Sequence, residues 1–232
     1  MAKLNFEILA YDETPLGLLC LRRRELLSQP GTIVTEVTLN HEFLMSSLYT
    51  ESERELGRMS LEMHAGSDLS VLVGGLGLGY TAREAIQEER VARIEVVELL
   101  PQVVNWMKEG LIPLSCELRD EPKLSITQGD VFSRLAGPPE DRYDVIMIDI
   151  DHSPEDRLGE SNVSFYTKTG LLAAQRHLAS KGVLAVWSYE NNSNFATALR
   201  EVFEHVQVER VSFQNHLIDE TVTDWLFFAK NR

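Results

Sequence analysis

The hydrophobic rhythm of the chain changes near Asp68. Before it, apolar and polar residues alternate in short runs; after it, apolar residues gather into continuous blocks. "NFEILAY" and "LGLLCLRRREL" flank the turn signal "DETP", and "TIVTEVTLN" follows, so each run reads as a strand. They predict a small β module over roughly residues 4–40, within an N-terminal unit of residues 1–48. From Thr50, "TESERELGRMSLEMHA" sets Leu56, Met59, Leu61 and Met63 at helical spacing, with Thr50 as cap and Glu53 completing a capping box.

Beyond Asp68 the blocks "LSVLVGG", "RIEVVEL", "KLSITQG", "YDVIMIDI" and "GVLAVWSY" alternate with helix candidates starting near Tyr80, Pro101, Ser164 and Ser193. Continuous Val/Ile/Leu runs suit strands buried on both faces of a parallel sheet. "VQVERVSF" and "DWLFFAKN" come last with no helix-length segment between them, which predicts an antiparallel hairpin at one sheet edge. The pattern predicts an α/β protein. Residues 49–232 should form a Rossmann-like domain of the S-adenosylmethionine-dependent methyltransferase type, with a mostly parallel seven-stranded sheet. "AGPPEDR", Ala136 to Arg142, reads as a surface loop.

Composition narrows the partners. The formal net charge of −14 disfavours nucleic acid and anionic membranes, and tolerates a cationic small molecule; it also simply keeps a protein soluble. Cys20 and Cys116 have no metal-ligand spacing and form no disulfide framework, which fits a reducing cytoplasm. Lys3, Glu7, Asp12 and Glu13 interrupt the N-terminus, so it does not read as a signal peptide, and no window approaches 18 uninterrupted apolar residues. His41, His64, His177, His205 and His216 show no metal-ligand spacing, and no metal is expected.

The glycines of "SVLVGGLGLGYTAREA" occupy the first strand-to-helix turn of the α/β region: Gly74, Gly75, Gly77 and Gly79. Such a turn lies at the carboxyl edge of the sheet, where ligands bind in these folds. Glycine admits backbone close to a ligand, and the helix start offers free N–H groups. Tyr80 stands where a dinucleotide fingerprint needs its third glycine, so an S-adenosyl sulfonium nucleotide is favoured over NAD. The plain alternative is a tight structural turn. Glu98, with Leu99 after it, ends the second block, 19 residues beyond Gly79, where an acid can accept from ribose hydroxyls. Asp130 ends the third block and can accept from an adenine amino group while Val131 packs the ring. A solvated carboxylate and a Gly-Asp turn are the competing readings.

Chemistry is expected at the end of the fourth block, "YDVIMIDIDHSPEDR". Asp144 begins the strand and reads as structural. Asp149 and Asp151 are two apart, which on an extended chain turns both carboxylates to one side. Two acids there can hold a cationic amine and accept its proton, and His152 has the ordinary pKa for the same role. An alkylamine needs this help because its pKa is about 10.4, like lysine's. Tyr166 could cover the pocket or pack in the core. Trp106, Trp187 and Trp225 read as core, and Arg22, Arg23 and Arg24 as a charged edge strand or, less simply, an anion contact.

Taken together, "TPLGLLCLRRRE", "VLVGGLGLGYTAREA", "VVELLPQVVNW", "QGDVF" and "YDVIMIDIDHSP" resemble the spermidine synthase (aminopropyltransferase) family, especially its spermidine synthase-like bacterial branch. The resemblance implies an N-terminal β module before a Rossmann-like domain, and association as a homodimer. It implies transfer of an aminopropyl group from decarboxylated S-adenosylmethionine to a polyamine, with release of methylthioadenosine. By motif, Glu98 would meet the ribose, Asp130 the adenine and Asp149 the reacting amine. The departures are specific. The family's glycine loop G-G-G-[DE]-G carries an acid where this chain has Gly77 or Leu78. Its D-x-x-D-P becomes "DIDHSP", and its D-E-F-x-Y-H-E becomes "HEFLMSSLY". Three readings stay open: an aminopropyltransferase with an altered acceptor site, an S-adenosylmethionine-dependent methyltransferase whose helix start near Tyr80 and Thr81 anchors the donor carboxylate, and a non-catalytic nucleoside-binding protein.

Overall fold

The computed structural model describes residues 5–158 and 160–231; Lys3 and the ends of both expected domains lie outside them. Four antiparallel strands come first: β1 (Phe6–Thr14), β2 (Gly17–Glu25), β3 (Ile33–Leu39) and β4 (Glu42–Ser46), paired in that order. The sequence reading has three strands. The fourth follows a two-residue turn in which Asn40 and His41 both adopt positive φ, 52° and 71°. Such turns usually advertise themselves with glycine, and this one does not. Asn40 also holds the far end of the meander, its Oδ1 accepting from the Leu18 amide at 2.9 Å.

The strand β2 lies inside this sheet, so Arg22 and Arg24 are not edge charges. Both guanidinium groups donate to Glu36 on β3, at 2.9 and 2.8 Å, and Arg23 reaches the Leu111 carbonyl. Burial raises the Glu36 pKa, but Arg24 and Arg22 outweigh it and hold the carboxyl below its usual range.

Helix α1 (Glu51–Glu62) links the two sheets. Thr50 stands at its N-cap position but its side chain caps nothing, so the expected capping box does not form. Glu53 is instead turned inward.

The second sheet has the order β10-β11-β9-β8-β5-β6-β7. Strands β5 (Leu69–Gly74), β6 (Val91–Glu98), β7 (Leu124–Gln128), β8 (Tyr143–Ile148) and β9 (Leu178–Ser188) are parallel, and β11 (Glu220–Lys230) joins β9 and β10 (His205–Asn215) antiparallel. Helices α2 (Tyr80–Gln87), α3 (Pro101–Lys108), α4 (Ser115–Arg119), α5 (Val131–Ala136), α6 (Lys168–Gln175) and α7 (Ser193–Val202) connect them. The helix expected from Ser164 begins at Lys168, because the Thr167 hydroxyl caps it there and a 3-10 turn, Glu160–Ser164, precedes it.

The central strands carry two faces of core. On one, Val71, Val73, Val96 and Met147 pack with α1, α2 and α3; on the other, Leu72, Ile146, Ile148 and Leu184 pack with α5, α6 and α7. Each fully buried aliphatic side chain contributes about 1.5–3 kcal/mol relative to exposure, which is why the central β5 and β8 read as near-continuous apolar runs. The chain moves outward through β5, β6 and β7, then returns to place β8 on the other side of β5. That reversal opens a crevice beyond the ends of β5 and β8, between Gly74 and Ile148.

Candidate functional site

The crevice is floored by the glycine turn. Gly75 has φ +93° and a Cβ there would lie 2.4 Å from the Asp149 carbonyl oxygen, so only glycine lets the two strand ends approach. Gly77 has φ +51°, and a Cβ would meet only the Met45 side chain, its sulfur at 3.1 Å. Gly74 ends β5 against Val131, and Gly79 supplies the N-cap position of α2.

Two cavities open above this floor and share Leu44, Met45, Gly77, Asp149 and Ile150 as a common wall. The smaller, about 120 Å³, runs over Gly75, Glu98, Leu99, Asp130 and Val131 and ends against apolar side chains of the first sheet. Glu98 is fixed in it. One carboxylate oxygen accepts from the Leu76 amide and the other from the Leu100 amide, both at 2.8 Å. Burial pushes its pKa up, and the surrounding N–H groups oppose that shift. Asp130 accepts from the Phe132 amide at 2.9 Å and so caps α5 while facing the cavity.

The larger cavity, about 340 Å³, has three acids on its wall: Glu53 from α1, Asp149 beyond β8 and Asp224 from β11. Aromatic residues Phe43, Tyr49, Tyr80, Trp187, Tyr189 and Phe213 line it too, with His152. Among the described residues, no Lys or Arg lines either cavity. Thr81 Oγ1 donates to Asp149 Oδ2 at 2.6 Å. Burial raises Asp149 to about 6, Thr81 opposing and Asp224 adding to the shift. Burial and the neighbouring Asp149 charge raise Glu53 to about 8. Asp224 is likewise pushed up by burial, against Ser52 and Trp187.

The expected site residues are therefore not all brought together. Asp149 and His152 face the larger cavity, but Asp151 does not. The chain leaves the strand after Ile148, so spacing of two no longer places two carboxylates on one side. Asp151 turns inward, accepting from the Leu158 amide, Asn162 Nδ2 and the Tyr166 hydroxyl at 2.8, 2.7 and 2.8 Å. Tyr166 spends its hydroxyl there and packs its ring against Phe132, Phe165 and Phe195, lining neither cavity. His152 Nδ1 lies 3.8 Å from Asp156. Trp187, read as core, lines the larger cavity, whereas Trp106 is buried and borders the smaller.

Sequence reasoning missed Glu53 and Asp224, and both leave a trace. Glu53 precedes the buried pair Leu56 and Gly57 by three and four positions, so it shares their helix face. Asp224 alternates with buried Leu226 and Phe228, a charge on the apolar face of a strand.

A doubly wound sheet with a glycine turn and acids at successive strand ends defines the Rossmann-like, methyltransferase-type class, and known proteins agree. No family model matches the chain. It is 28% identical over 141 residues to a polyamine aminopropyltransferase of Prochlorococcus marinus, covering 58% of this chain and 48% of that protein. It is 29% identical over 163 residues to polyamine aminopropyltransferase 1 of Pseudomonas aeruginosa, covering 70% and 50%. The chain spans about half the length of these curated relatives. A spermidine synthase solved with the transition-state analogue AdoDATO superposes with a TM-score of 0.76 at 18% identity, covering 97% of this chain and 74% of that one. Human methyltransferase-like protein 13, solved with SAH, gives a TM-score of 0.58 at 18% identity over 78% of this chain and 82% of that one. The chain is thus similar in sequence to polyamine aminopropyltransferases and shares the spermidine synthase fold.

Proposed function

We propose that the chain is an aminopropyltransferase that moves the aminopropyl group of decarboxylated S-adenosylmethionine onto a cationic amine. The observation that carries this reading is the pair of cavities meeting at Gly77 and Asp149, one suited to a nucleoside and the other walled by acids. In the smaller cavity Glu98 takes the ribose, Asp130 the adenine amino group, and Leu99 and Val131 the faces of the ring. The sulfonium centre then lies over the Gly77 wall, between Met45 and Asp149. The acidic cavity holds the amine, and Asp149 draws its proton so that the nitrogen can attack the carbon next to sulfur. The product leaves as an ammonium ion, the donor as methylthioadenosine.

The lining favours this reading over methyl transfer. A full S-adenosylmethionine carries a carboxylate, and no Lys or Arg among the described residues lines either cavity to meet it. The start of α2 near Tyr80 and Thr81 offers only N–H groups for it. Two free cysteines support a reducing cytoplasmic setting. No helix among the described residues is long and apolar enough to cross a membrane.

The test is to incubate the protein with a diamine and either donor. Release of methylthioadenosine from the decarboxylated donor supports the proposal. Release of S-adenosylhomocysteine from the full donor replaces it with the methyltransferase reading. Binding of methylthioadenosine without turnover of either donor leaves the non-catalytic one.

A further inference from the structure

Glu53, Asp149 and Asp224 come to one cavity from three separate elements. Gathering like charges away from water without a cation costs free energy, and folds keep such clusters where a ligand completes them. Facing Glu53 are Asp149 and Asp224 across the space, Tyr80 and Thr81 of α2, and Ser52 on its own helix, whose Oγ donates to Glu53 Oε2 at 3.1 Å. His152, Tyr49 and Tyr189 complete the titratable groups of the wall. The Arg54 guanidinium is turned to the Tyr80 ring, 5.6 Å from its centroid, and does not line the cavity. Glu53 and Asp149 also share one neighbour. Thr81 Oγ1, which donates to Asp149, lies 3.4 Å from the Glu53 backbone oxygen.

The mechanism above employs Asp149 and gives Glu53 no part. We propose that Glu53 is a second catalytic group of the amine site, which meets the acceptor ammonium beside Asp149 and takes over the proton that Asp149 draws from it. The proposal rests on the amine-acceptor reading. The step balances. The ammonium passes one proton to Asp149, which hands it on to the Glu53 carboxylate. The freed nitrogen pair forms the new N–C bond, the C–S bond breaks, and its electron pair neutralises the sulfonium to a thioether. The alkylated nitrogen carries the positive charge, and Glu53, now a neutral acid, returns its proton to solvent through the cavity mouth.

Burial and the Asp149 charge favour the protonated form of Glu53 when no cation is present. An arriving ammonium favours the ionised form. Amine entry should therefore expel a proton that belongs to this pair.

Calorimetry with 1,4-diaminobutane as the probe, in buffers of different ionisation heat, reads this directly. Near pH 7 the wild-type chain should release about one proton per amine bound, and the release should fade above about pH 9, where both acids are already ionised. Glu53→Gln should bind the amine at least several-fold more weakly with release close to zero. Glu53→Asp should retain release, which separates loss of the acid from loss of the fold. Asp151→Asn, whose carboxylate lies off the cavity, should leave the release unchanged. Parent-level release from Glu53→Gln, or wild-type binding with no release at any pH, overturns the proposal while the amine reading stands. No binding of the amine by the wild-type chain overturns the amine reading, and this proposal with it.

Discussion

Thr81 and Asp149 belong to elements separated by most of the sheet's connectivity, yet the threonine hydroxyl donates to the carboxylate at 2.6 Å. The helix that starts from the glycine loop thus holds the acid at the end of β8. The bond favours ionised Asp149 and opposes the effect of burial. Thr81→Val keeps the shape and removes the donor, so the Asp149 pKa should move further up. With Asp149 as the proposed base, the rising limb of the pH–rate profile should shift to higher pH, with kcat several-fold lower on its acid side. An unmoved limb would show that Asp149 does not set it.

Gly75 and Gly31 give a controlled pair of substitutions. Both have left-handed φ, +93° and +91°, but a Cβ at Gly31 meets nothing within 4 Å while one at Gly75 meets the Asp149 carbonyl at 2.4 Å. Gly31→Ala should cost only the strain of its conformation, about 1–2 kcal/mol. Gly75→Ala should cost more in urea unfolding and should weaken methylthioadenosine binding, because the two strand ends must separate. Gly77→Val, at φ +51° with only Met45 in the way, should hurt binding more than folding. Equal effects on binding at Gly31 and Gly75 would remove the loop from the ligand site.

How much of this was legible follows from where each residue stands. Near-continuous apolar blocks mark the central strands β5 and β8, since burial on both faces leaves no other pattern, and the glycine turn with Glu98 and Asp130 marks strand ends of the crevice. The fourth strand of the first sheet escaped because Asn40 and His41, not glycine, make its turn. Asp151 escaped because periodicity holds only along a strand, and β8 ends at Ile148. Glu53 was legible as a helical residue but was assigned to a cap; its true neighbours, Asp149 and Asp224, are distant in sequence and are joined only by the sheet order.

Stability should fall as pH rises wherever Glu53 dominates. Its folded pKa is raised to about 8 from an ordinary value near 4.5, so the folded state holds a proton that the unfolded chain has lost in that window. The sign is therefore negative: stability contributed below the unfolded pKa is lost progressively up to the folded one. Other acids, such as Glu36 and Glu95, shift downward and act oppositely, so the informative quantity is a difference. The melting temperature of Glu53→Gln minus that of the wild type should grow from about pH 5 to about pH 8.5. A flat difference would mean that Glu53 titrates as it does in the unfolded chain.

We propose that the protein is a homodimer joined through the first sheet. Phe6, Ile8 and Tyr11 on β1, with Ile33 and Phe43, are large apolar side chains left exposed there, and β1 is an open edge. Sedimentation of the full chain should give twice the monomer mass at micromolar concentration. Ile8→Arg should lower it to the monomer without changing the far-ultraviolet circular dichroism. A monomeric wild-type chain would sink the idea.

The three polar residues after β8 should separate by role. Asp149→Asn keeps size and removes the charge beside the proposed sulfonium position, so transfer should be abolished while methylthioadenosine affinity stays within several-fold, held by Glu98 and Asp130. Asp151→Asn should act through the fold. Its two oxygens accept from Leu158, Asn162 and Tyr166. An amide offers one acceptor oxygen and a misplaced donor, so the loss should be about 1–3 kcal/mol, or a few degrees in Tm for a chain of this size. Turnover at a temperature where the variant is folded should fall only modestly. His152→Ala decides the remaining choice. His152 lines the larger cavity, and if it shared the base role His152→Ala would remove the rising limb of the pH–rate profile. With Asp149 as base, that limb should survive His152→Ala and vanish only with Asp149→Asn. A variant of Asp149 with wild-type turnover would move the chemistry away from this strand end altogether, and a variant of Asp151 as dead as Asp149→Asn, yet equally stable, would return Asp151 to the catalytic set.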